Sequence, residues 1–80
     1  MKLDTMNKEE TFKVRAYGYG ELAQLYFPNV SKQSATVQFR RWIVVNEKLK
    51  EALNDSGFQK FQKLLTPKQV EIITKFLGEP

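Results

Sequence analysis

Neither cysteine nor histidine occurs in the 80 residues of this chain. Without thiols there is no disulfide and no thiolate metal site. Without imidazole, histidine-ligated zinc, a Ser-His-Asp or Cys-His nucleophile and an imidazole general base are excluded as well. Long hydrophobic runs are also missing. The longest run of large apolar residues is Trp42-Ile43-Val44-Val45, against ~20 residues for a membrane-spanning helix, so no membrane partner is expected. The opening MKLDTMNKEET has no apolar core of the kind a secretory signal needs, which makes a cytoplasmic, bacterial protein the default. Gly18-Tyr19-Gly20 is not followed by the lysine and hydroxyl of a phosphate-cradling loop. The carboxylate pairs Glu9/Glu10 and Glu47/Glu51 lie in a polar lead and on an exposed helical face, not in the contrasting environments that separate an acid from a base. No enzyme, cofactor or metal is expected.

What the chain does have is an uneven distribution of positive charge. Its net charge is +4. Residues 12–45 hold Lys13, Arg15, Lys32, Arg40 and Arg41 against Glu21 alone, a surplus equal to that of the whole chain. A basic surface concentrated in one stretch suits a polyanionic partner, although small soluble proteins also carry surplus lysines for solubility.

Read in order, residues 1–11 are polar and without period, a disordered lead to a single compact helical domain over 12–80. Phe12 to Tyr17 alternates apolar and polar residues, which predicts a half-buried strand with Phe12, Val14 and Ala16 inward. Glycines at 18 and 20 then break it, and Glu21 to Tyr26 forms a short helix with Leu22, Leu25 and Tyr26 on one face and Ala23 small enough for a close crossing. Pro28 ends that helix at Phe27, and Asn29 is the turn residue best suited to a left-handed conformation. Ser31 caps a second helix whose inner side gathers Ala35, Phe39, Trp42 and Ile43. Asn46 caps a third, with Leu49, Ala52 and Leu53 inward and Gly57 at its end. Phe58 to Leu65 is the one stretch able to pair with the early strand. The last helix has the clearest local signature: a Thr66-Pro67-Lys68-Gln69 capping box, a Leu65/Val70 staple and a stop at Gly78. The expected fold is mainly α, about four helices, helix-turn-helix or winged-helix-like, with room for a short two-stranded β-ribbon.

Within it, Gly20 to Ile43 has the outline of a helix-turn-helix. The outer face of the second helix offers Gln33 for adenine, Thr36 for thymine methyls, and Arg40 and Arg41 for guanine or phosphate. Lys32, Lys13 and Arg15 are the expected phosphate contacts. This pattern points to double-stranded DNA as the partner, and to a regulator or an accessory protein of a mobile element. Two features point elsewhere. The Phe27–Val30 connection is longer than the usual tight turn and lacks its glycine. Val37 and Val44 place apolar side chains on the outer face, as a homodimer or a protein-interaction module would.

The stretches FKVRAYGYGELAQLYFPNVSKQSA, RRWI and LLTPKQVEIITKFLGEP resemble a small bacterial family catalogued as domain of unknown function 4248, from Phe12 to Pro80. The resemblance implies a compact, mainly helical protein of anaerobic gut-type bacteria, helix-turn-helix-like by analogy of fold. It brings no activity and no binding residues with it.

Overall fold

The computed structural model describes residues 12–59 and 62–80, and the disordered lead expected over 1–11 lies outside them, as do Lys60 and Phe61. The element order is β1 (Tyr17–Gly18), α1 (Tyr19–Tyr26), α2 (Lys32–Val45), α3 (Glu47–Asp55), β2 (Leu64–Leu65) and α4 (Pro67–Leu77). The described residues are therefore mainly α, with four helices and a two-stranded antiparallel ribbon.

Local hydrogen bonding explains where the helices begin. An α-helix leaves its first N–H groups without internal partners, and a short polar side chain at the cap can take one of them. Ser31 Oγ accepts from the Ser34 amide at 3.1 Å, Asn46 Oδ1 from Leu49 at 3.1 Å, and Thr66 Oγ1 from Gln69 at 3.2 Å. Gln69 Oε1 reaches back to the Thr66 amide at 3.0 Å, which completes the expected capping box. Asn46 alone separates α2 from α3, closing one helix and capping the next. Gly57 and Gly78 have φ of +90° and +85°, a conformation that glycine adopts at little cost just past a helix.

The core joins the early and late halves of the described residues. Leu22 and Ala23 of α1 meet Ala35, Phe39 and Ile43 of α2, while Leu49 and Leu53 of α3 pack with Leu65, Val70 and Ile73. Phe39 is the largest fully buried side chain and contacts Tyr26 in a stacked geometry at 5.3 Å and Tyr19 edge-on at 5.4 Å. The fully buried Ala23 and Ala35 let the two helices approach closely. Tyr26 donates its hydroxyl to the Gly78 carbonyl, tying the end of α1 to the end of α4.

Four local expectations are corrected. The early strand is only Tyr17–Gly18, paired Tyr17 to Leu65 and Gly18 to Leu64. Ahead of it the chain curls, because the Tyr17 hydroxyl donates to the Lys13 carbonyl at 2.8 Å and Phe12 stacks on the Tyr17 ring at 5.4 Å. Tyr17 is thereby buried and Val14 is 51% exposed, the reverse of the alternation. The first helix starts at Tyr19, not Glu21, so Gly20 lies inside it. No non-glycine residue among those described has positive φ, Asn29 included. The Phe27–Ser31 connection is long enough to turn without one, and Gln24 fastens it by donating to the Val30 carbonyl at 2.9 Å. Finally, Trp42 is 41% exposed and not core. It sits on the flank of α2, where Phe27 and Tyr26 meet it edge-on at 4.6 and 6.1 Å.

Candidate nucleic-acid interface

The start of α1 and the first half of α2 form a basic depression. Gly18 is the N-cap of α1, and Glu21 folds back to accept its amide at 3.0 Å. The other Glu21 oxygen takes Arg15 at 3.0 Å. The Arg15 bond and the Gly18 amide together hold the Glu21 carboxyl below its ordinary pKa. The Tyr19 amide is used as well, donating to the Lys63 carbonyl at 2.7 Å. That bond extends the ribbon by one residue and brings Lys63 to the helix start.

Gly20 is where α2 comes closest. A Cβ placed there would stand 2.8 Å from Lys32 Cε and 3.2 Å from Thr36 Oγ1. The absence of a side chain lets Lys32 lie across the first turn of α1. Lys32, Thr36 and Arg40 are spaced i, i+4, i+8 and line one depression of about 420 Å³ with the Gly18–Glu21 helix start, Gln62 and Lys63, so that three cations face one carboxylate. Lys32, Arg40 and Lys63 are exposed and make no ion pair among the described residues. With the Gly18 and Tyr19 amides already bonded, it is the three cations, set against the single carboxylate of Glu21, that favour phosphate oxygens here.

The outer face expected from the sequence thus divides. Lys32, Thr36 and Arg40 turn toward α1, whereas Gln33, Val37 and Arg41 line a separate shallow depression with Ser34 and Gln38. Thr36 is half-buried, and its hydroxyl donates to the Lys32 carbonyl at 2.8 Å. Arg40 also stands 5.8 Å from the centroid of the buried Tyr19 ring. Burial raises the Tyr19 pKa against the opposing influence of Arg40. Arg15 stacks on Tyr17 at 3.6 Å while it pairs with Glu21, so its charge is partly committed within the fold. Lys13 is exposed.

Lys63 is the member that sequence reasoning missed. Its signal lies in the ribbon register, because Gly18 opposite Leu64 puts residue 63 beside Tyr19. Among the described residues no cluster of acidic side chains is built to hold a metal, and no helix is long and apolar enough to cross a membrane.

These features define a small helical domain with a basic depression at the crossing of its first two helices. Residues 13–80 match a family described as a domain of unknown function, DUF4248, and the chain belongs to that family. Neither a curated protein nor a solved structure matches it.

Proposed function

We propose that this protein binds double-stranded DNA, as a small regulator or an accessory protein of a mobile element acting in the cytoplasm. The observation that carries the reading is the unpaired set Lys32, Arg40 and Lys63 around the start of α1. In this reading the depression engages the phosphate backbone, and the neighbouring row Gln33, Val37 and Arg41 faces base edges in the major groove. Gln33 suits adenine, Arg41 suits guanine, and Val37 suits a thymine methyl. Lys13 and Arg15, ahead of the ribbon, supply outlying contacts, with Arg15 weakened by its bond to Glu21.

The test is binding of a labelled duplex by wild type and by the Lys32→Gln/Arg40→Gln/Lys63→Gln variant over a range of salt. All three positions are exposed, so the variant keeps its fold. Loss of three phosphate contacts lowers the slope of log affinity against log salt by about 2.7. An unchanged slope in the folded variant contradicts the assignment.

A second reading, a protein-interaction module or homodimer, is favoured by a different observation. Val37 and Val44 are exposed, and so are Trp42, Val45 and Phe76. Exposed apolar side chains such as these, where they adjoin as Trp42 and Val45 do, suit a contact site. Sedimentation at two concentrations separates the readings when combined with the salt series, because apolar association persists at high salt.

A further inference from the structure

A second cavity lies on the other side of Arg40, between the second half of α2, α3 and the segment that follows α3. Its volume is about 440 Å³, within the ~300–1,000 Å³ of pockets that enclose small organic ligands. Ile43, Val44, Leu53 and Phe58 give it apolar walls, its floor is shared with the core through Tyr19, Ile43 and Leu53, and Asn54 adds a polar side chain. Arg40 and Lys50 line it from two different helices. Both are exposed, and neither makes an ion pair among the described residues.

An apolar recess bordered by two cations outside any ion pair among the described residues, Lys50 and the Arg40 that also stands over the Tyr19 ring, suits one kind of ligand. A neutral apolar molecule would fill the walls but leave both cations facing water. An inorganic anion would satisfy the cations but leave the walls empty, and a cationic ligand would be repelled. We propose that this cavity binds a small monoanion with an apolar body, a medium-chain fatty acid or an arylalkanoic acid. Its carboxylate is held by Arg40 and Lys50 through charge-assisted hydrogen bonds, and its body lies on Ile43, Val44, Leu53 and Phe58. The site stands independently of the duplex reading, although Arg40 belongs to both.

The experiment is a titration of the isotope-labelled protein with octanoate and with 3-phenylpropionate, each beside its uncharged amide, followed by amide chemical shifts. The expected result is saturable shifts confined to residues around the cavity, with the carboxylate roughly tenfold tighter than the amide. The better of the two acids tells whether the body is aliphatic or aromatic. Lys50→Gln lies outside the proposed duplex face and weakens the acid without affecting the amide. Adding Arg40→Gln removes the preference for charge. Absence of saturable shifts at millimolar acid overturns the proposal, as does equal binding of acid and amide by the wild type. The wild-type comparison decides the matter even where a variant loses its fold.

Discussion

Gly20 shows how much can rest on one missing side chain. It sits in the first turn of α1 with Lys32 and Thr36 packed over it, so Gly20→Ala sets two effects against each other. Alanine is the better helix former by up to about 1 kcal/mol, but its Cβ needs the space of Lys32 Cε. The far end of a lysine is flexible and moves more cheaply than backbone. Gly20→Ala is therefore expected to change stability by less than about 1 kcal/mol while displacing Lys32 and weakening duplex binding; urea melts and anisotropy measure the two. A large loss of stability would show that Thr36 is the side chain that cannot yield. Tyr26 makes a second prediction at this scale. Burial, and then the charge of Glu79, push its phenol up to about 12. A raised folded-state pKa means that its contribution is complete below the unfolded value of ~10 and is lost as pH rises through the folded one. The bond to Gly78 is therefore expected to persist to alkaline pH, with Tyr26 titrating late in phenolate absorbance. Tyr26→Phe should cost about 1 kcal/mol and abolish that late phase. The sequence placed Tyr26 on the buried face of α1 but gave no sign of its partner, because Gly78 is 52 positions away.

At the scale of elements, what was legible is what is local. Ser31, Asn46 and Thr66 act within three residues of themselves, so their caps could be read directly, and each is found bonded. Thr66→Ala is expected to cost about 1 kcal/mol, because it removes the Oγ1 that accepts from the Gln69 amide while leaving the Thr66 amide bonded to the buried Gln69 side chain; thermal melts test this. The start of α1 was harder to read, because its cap is a glycine without a side chain and the compensating group, Glu21, reaches back from the third position. That arrangement has a pH signature. A carboxyl lowered by Arg15 and the Gly18 amide contributes stability above its unfolded pKa and loses it as pH falls through the lower folded value. The Gly18 amide shift should titrate with a midpoint below the ordinary ~4.3, and in Arg15→Gln that midpoint should rise. The strand failed for the opposite reason. Alternation over Phe12 to Tyr17 is a real pattern, but a strand lasts only as long as its partner, and Leu64–Leu65 supplies two residues.

Across the whole molecule, the ribbon and the α1–α2 crossing determine which charges meet. Summed along the sequence, Lys13 and Arg15 counted equally with Lys32 and Arg40, and Lys63 did not figure at all. In the fold, Arg15 is drawn into a bond with Glu21, while Lys63 arrives beside Tyr19 through pairing of distant segments. Helical spacing put Arg40 with Gln33 and Arg41 on the outer face of the second helix, with Lys32 and Thr36 on its flank. It could not show that Lys32, Thr36 and Arg40 turn together toward α1 while Gln33 and Arg41 face outward, since that depends on the neighbour and not on the helix. Arg40 stands between the basic depression and the apolar cavity. An acid bound in the cavity should therefore compete with phosphate and weaken duplex binding in proportion to its occupancy, an effect that Lys50→Gln should reduce. The most direct test of the central claim is a titration of a labelled random-sequence duplex with the wild-type protein at several salt concentrations. The account predicts micromolar binding whose affinity falls steeply with salt. No binding at low salt, or an affinity indifferent to salt, would contradict it.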